Sequence, residues 1–165
     1  MILLGIDPGS RKCGYGILHI DKYKIIAAGC GIIKLDEKKS LQDRLLELYN
    51  HLSKLIDEYK PDVAAVEEIF FGKNLHSAFT LGNVRGVILL LLKMNNILTY
   101  NYSPREIKQS VTGKGSASKK QIEYVIQSIL NLKQAPKEDA ADALAIAMCL
   151  FNKEKFNLLK TESRL

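Results

Sequence analysis

The chain has 165 residues, 47% hydrophobic and 25% charged, which fits one soluble domain with a real core. Lys and Arg number 24 against 18 Asp and Glu, and the net charge of +6 suits a polyanionic partner as well as an ordinary basic surface. Cys13, Cys30 and Cys149 form no CxxC pair, and His19, His51 and His76 lack ligand spacing. This argues against a zinc site or a disulfide framework and for a reducing cytoplasm.

Residues 2–7 are apolar up to Asp7 and read as a buried strand, with Pro8, Gly9 and Ser10 as a turn. So early an acid, with no basic stretch before it, argues against a signal peptide. Residues 14–20 and 23–35 read as two more strands around Asp21 and Lys22, an antiparallel meander. Gly29 and Gly31 in the third run suggest a bulge or a close backbone approach. Over residues 40–59, Leu41, Leu45, Leu48, Leu52, Leu55 and Ile56 recur at helical spacing, and Pro61 ends the helix. Residues 63–67 read as a central strand, so strand, helix and strand imply a parallel pair with a right-handed crossover.

Residues 75–95 read as a second helix, with Gly82 and Gly86 on one face. Its 87–92 run is apolar on every side, which fits either a core position or a subunit contact. That run is too short to span a bilayer, and no membrane association is expected. Residues 97–102 read as a short strand, and Ser103, Pro104 and Glu106 form a strong helix start. Residues 113–116 break that helix, and 117–130 and 139–150 read as two more. The expected organisation is one α/β domain over 1–150, a mixed sheet flanked by helices, then a loosely ordered tail over 151–165.

Three features carry chemistry. Asp7 and Glu67 close apolar runs, and Asp139 and Asp142 are three apart on one helix face. Gathered at one sheet edge they make an all-oxygen anionic pocket suited to Mg²⁺, with Mn²⁺ possible. Two such ions about 4 Å apart supply what phosphodiester hydrolysis needs. Each element also has a plainer reading: a simple turn at Asp7, Glu68 as an equal candidate beside Glu67, and a helix dipole complemented by Asp139 and Asp142. Arg105, Lys108, Lys114, Lys119 and Lys120 surround Gly113 and Gly115, a loop for phosphate contact or simply a solvated one. It is no P-loop, because Lys108 stands where the first Gly is required. Phe70, Phe71, Gly72 and Lys73 follow the second acid, and Phe70 fits either a base contact or the core.

Together these segments resemble the RuvC family of bacterial Holliday-junction resolvases, which are endodeoxyribonucleases. The matching pieces run in family order: Gly5-Ile6-Asp7-Pro8-Gly9-Ser10 with Gly14-Tyr15-Gly16, then Val66-Glu67-Glu68-Ile69-Phe70 and Lys73-Asn74. Leu81-Gly82 with Arg85-Gly86, Lys108-Gln109, Gly113, Gly115-Ser116-Ala117, Lys119 and the segment from Asp139 to Ala145 complete the match. The resemblance implies a ribonuclease-H-like fold, a homodimer, and paired symmetric nicking of four-way junctions in recombination and repair. It implies Asp7, Glu67, Asp139 and Asp142 as catalytic ligands of two Mg²⁺ ions, with Glu67 preferred to Glu68. Lys108 and Lys119 would sit near the scissile phosphate, and Phe70 would take the junction-probing place. Lys73, Arg105, Lys114 and Lys120 complete the expected DNA-binding set, though Lys114 and Lys120 lie outside the family motifs. The helix around 82–92 would join the dimer contact, and a branch-migration motor complex is the further partner implied.

Three other classes fit less well. A relative acting on ribosomal RNA precursors shares the Asp-Pro-Gly opening but not the aromatic and Lys-rich segments. A sugar-kinase or actin-like ATPase needs a second homologous domain. A non-catalytic DNA-binding module would carry four acids against phosphate as a liability.

Overall fold

A computed structural model describes residues 1–69 and 75–162, with side chains up to residue 155. Phe70 and Lys73 therefore lie outside the described residues. The elements are β1 (Ile2–Asp7), β2 (Lys12–Asp21), β3 (Lys24–Lys34), α1 (Leu41–Tyr59), β4 (Val63–Glu67) and α2 (Leu75–Met94). They continue with β5 (Leu98–Tyr102), α3 (Pro104–Thr112), α4 (Lys119–Ile129) and α5 (Glu138–Glu162).

The five strands form one mixed sheet in the order β3-β2-β1-β4-β5. The β1–β2 and β2–β3 pairs are antiparallel, and β1–β4 and β4–β5 are parallel. Side chains alternate across the pleat and divide the core in two. Leu3, Val63 and Ala65 face a layer containing α3, α4 and α5, with Ile107, Ile122, Ile126 and Leu144. Leu4, Ile6, Ala64 and Val66 face α1 and α2, with Leu48, Leu52, Ile88 and Leu92.

The approach of α5 to the sheet positions the site. Gly5 pairs with Gly16 across β1 and β2, and Gly14 lies opposite Asp7. A Cβ on Gly5 would overlap Ala143 O, one on Gly14 would overlap Asp139 O, and one on Gly16 would lie 2.7 Å from Leu144 N. The glycines thus let the helix backbone settle directly on the strands, with Ala143 and Ala147 as its contact residues. No larger spacing would bring the start of α5 beside the end of β1.

The structure narrows two open readings and moves one boundary. The register shift in the meander falls between His19 and Ile20, whereas Gly31 lies under the Tyr15 ring, so the glycine there serves a close approach. The 87–92 run is not enclosed on all sides: α2 buries Ala78, Val84, Ile88, Leu91 and Leu92 and leaves Phe79 73%, Leu90 60% and Met94 60% exposed. By length and composition alone α2 could cross a bilayer, but its buried residues pack in the sheet core. The last helix also continues through Glu162, past residue 150. Phe151 is buried, Asn152 donates to Ser110 O at 3.1 Å, and Lys153 pairs with Glu106 at 3.5 Å.

Candidate active site

The parallel strands β1 and β4 end side by side, in a register that pairs Ile6 with Val66. Asp7 and Glu67 therefore leave the sheet at the same edge. Beside them, a cavity of about 250 Å³ is lined by Asp7, Glu67, Asp142, Lys108 and Lys119 over an apolar wall that includes Ile107, Ile122 and Ile146. Glu68 points elsewhere, into a groove beside α2 with Gly82, Arg85 and Gly86. Its amide donates to Tyr102 O at 2.9 Å.

Helix caps fix the two lysines. Ser103 caps α3 and accepts from Glu106 N, while Glu106 accepts from Ser103 N, a closed capping box. Ser118 and Gln121 repeat this device at α4 and make Lys119 its first residue. Gly113 ends α3 at φ 75°, in the left-handed region that favours glycine.

Repulsion among the acids is strong. Asp7 is pushed up to about 8, first by burial and then by Glu67, Asp142 and Asp139. Its carboxyl shares a hydrogen bond with Glu67. Without a cation the pair holds on to a proton, which Asp7 donates to Glu67. Burial also raises Glu67 and Asp142, against which Lys119 acts on both and Lys108 on Glu67. Lys119 is raised, chiefly by its hydrogen bond to Glu138, and also contacts Asp142 Oδ2 at 3.2 Å.

Asp139 differs from its three companions. It does not line the cavity, and Lys12 Nζ stands 4.0 Å from its Oδ2. It still contributes to the field that raises Asp7. Among the described residues no three His, Cys, Asp or Glu side chains already stand together as a metal-binding group. The chemistry nevertheless fits a hard divalent cation. The donors are all carboxylate oxygens, and Asp7 retains a proton that a cation would replace.

The other basic residues sit apart from the acids. Arg105 packs its stem over Gly115 and braces the loop between α3 and α4. Lys114 and Lys120 line a separate groove of about 350 Å³ with Thr112, Gln121 and the exposed Tyr124. Sequence reading missed Lys12, Glu138 and Arg85. Arg85 Nε donates to Glu67 O at 3.4 Å, and its terminal nitrogen donates to Asn101 Oδ1 at 2.5 Å, tying α2 to the strand ends. Arg85 stood in a matching motif without an assigned role, Glu138 had only its adjacency to Asp139, and Lys12 had no signal.

The family described as crossover junction endodeoxyribonuclease RuvC matches residues 3–150. The chain belongs to the RuvC family. A RuvC from Caldicellulosiruptor saccharolyticus is 47% identical over 153 residues, covering 90% of this chain and 91% of the relative. The solved RuvC of Thermus thermophilus superposes with TM-score 0.85 at 27% identity, covering 95% of this chain and 97% of that one. The same RuvC in complex with Holliday junction substrate gives TM-score 0.88 at 28% identity, covering 95% and 96%. The RuvC family and its ribonuclease-H-like α/β architecture are thus the ones the sequence motifs implied.

Proposed function

We propose that this protein is a crossover junction endodeoxyribonuclease that resolves four-way DNA junctions by paired, symmetric hydrolysis of phosphodiester bonds. The observation that carries this is the joining of three carboxylates and two lysines in one cavity on the fold of a RuvC solved with its junction. Asp7, Glu67 and Asp142, with Asp139 at the rim, would hold Mg²⁺, two ions per site, with Mn²⁺ as a substitute. When bound, such ions supply neutralisation of the charge that builds on the phosphate.

The chain's own residues do the rest. Lys119 and Lys108 place ammonium groups beside the phosphate, where they favour the more negative transition state over the substrate. The isoleucine wall keeps bulk water from one side of the cavity and strengthens these interactions. A water oxygen bonds to phosphorus as the bridging P–O bond breaks, and the departing oxygen takes a proton. Lys114 and Lys120 offer a second basic groove to an arm of the junction. Phe70 keeps the junction-probing place, and Lys73 the DNA contact, that the resemblance implies.

The open face of α2 supports a homodimer. Phe79, Leu90 and Met94 are exposed there, and among the described residues nothing stands over Gly82 and Gly86. Two copies meeting on a two-fold axis would present two sites to opposed strands. A branch-migration motor as further partner and a cytoplasmic place of work complete the proposal. The test uses a labelled synthetic four-way junction with and without Mg²⁺, beside linear duplex and single-stranded RNA. Paired nicks in the junction alone, only with the ion, support the reading; equal cutting of the linear duplex overturns it.

A further inference from the structure

Lys119 stands between two carboxylates of different situation. Its Nζ lies 3.2 Å from Asp142 Oδ2 and 2.5 Å from Glu138 Oε1. The Asp142 side chain is 22% exposed and lines the acid cavity; that of Glu138 is 57% exposed and does not. The two acids are four apart on α5, so they flank the ammonium from one helix face. Lys119 itself is rooted at the capped first residue of α4, whose Ile122 and Ile126 pack in the same core as Leu144 of α5. The span between the two helix starts is therefore set by packing, and only the side chains can adjust.

A divalent cation held by Asp142 would repel the ammonium from that carboxylate. Lys119 would then regain most of the rotamer freedom of its four-carbon stem, unless something else retained it. We propose that Glu138 is a positioning residue that retains Lys119 beside the scissile phosphate once Asp142 is committed to a cation. Glu138 does not line the cavity, and its role runs only through Lys119. The inference rests on the nuclease reading of the same site.

The experiment compares wild type, Glu138→Gln and Glu138→Asp, and repeats Glu138→Gln in a Lys119→Met background. Three quantities are read: single-turnover cleavage at saturating protein and Mg²⁺, junction affinity in EDTA, and the Lys119 side-chain NH₃⁺ signal of the Mg²⁺-loaded protein without DNA. Glu138→Gln is expected to slow cleavage about tenfold through misplacement of the ammonium. Junction affinity should change less than about twofold, as for loss of one exposed side-chain contact. The NH₃⁺ signal should broaden away through faster exchange with water, and Glu138→Asp should recover most of the rate. In the Lys119→Met background Glu138→Gln should change nothing further, because the two act as one unit. An equal loss in both backgrounds, an unchanged rate, or a faster rate from a freed Lys119 overturns the proposal. If wild type leaves the junction uncut, the nuclease reading fails, and the NH₃⁺ signal still reports whether Glu138 holds Lys119.

Discussion

Helices α5 and α2 lie on opposite faces of one sheet and use small residues to opposite ends. On α5, Ala143 and Ala147 meet Gly5, Gly14 and Gly16, so helix and strand backbones touch and the contact is completed within the chain. On α2, Gly82 and Gly86 lie among exposed Phe79, Leu90 and Met94, with none of the described residues over them. The first contact brings acids together; the second leaves apolar surface that water does not favour and a second copy can cover. A close-packed helix thus gathers the acids, and an open one leaves the face that the proposed dimer would use.

The contrast is sharpest where side chains are added. Gly16→Val should destabilise the protein by roughly 3 kcal/mol or more, since neither strand nor α5 can retreat from the new methyl groups. Thermal unfolding measures it, and a change under 1 kcal/mol would mean that α5 is free to shift. Burial of acids gives the next effect. Asp7 sits at about 8 when folded and near the ordinary 3.8 when unfolded, so its ionisation favours the unfolded chain as pH rises between those values. Without divalent ions, Asp7→Asn should therefore stabilise the protein by an amount that grows from pH 4 to 8 and then levels, reaching a few kcal/mol at pH 7. Denaturation across that range checks it; a gain independent of pH would show that burial and the neighbouring acids do not hold the Asp7 carboxyl above its ordinary value.

On the open helix the outcome reverses. Leu90→Glu should abolish dimers in sedimentation and shift the stability of the single chain by no more than about 0.5 kcal/mol, because the site is exposed. Loss of folding instead would place that face inside the chain. The smallest effect belongs to the basic groove. Lys114→Gln with Lys120→Gln should reduce the salt dependence of junction binding by about 1.8 in log–log slope, two phosphate contacts at about 0.9 each. An unchanged slope would leave those lysines as solvated charges.

Apolar runs that end on an acid made β1 and β4 legible, because strand burial and the change to a polar residue both lie in local sequence. The convergence of Asp7 and Glu67 then followed from a parallel pairing. Which side of α2 faces the core was not legible, since a run of leucines hides its own burial pattern. The glycine seat of α5 required the Gly5–Gly16 register, a tertiary fact. Asp139 and Asp142 share a helix face by spacing, but only packing decides that Asp142 lines the cavity and Asp139 pairs with Lys12. Glu138 meets Lys119 from a capped helix that starts 19 residues earlier in the chain, a relation that spacing cannot display.

The proposed mechanism depends on distant carboxylates gathering to bind divalent cations. Calorimetric titration of Mg²⁺ into wild type and Asp7→Asn, beside junction cleavage and junction binding by the same samples, addresses it most directly. Asp7→Asn is expected to lose Mg²⁺ affinity and cleavage together while it keeps its grip on the junction. Retention of both Mg²⁺ affinity and cutting by that variant would contradict it.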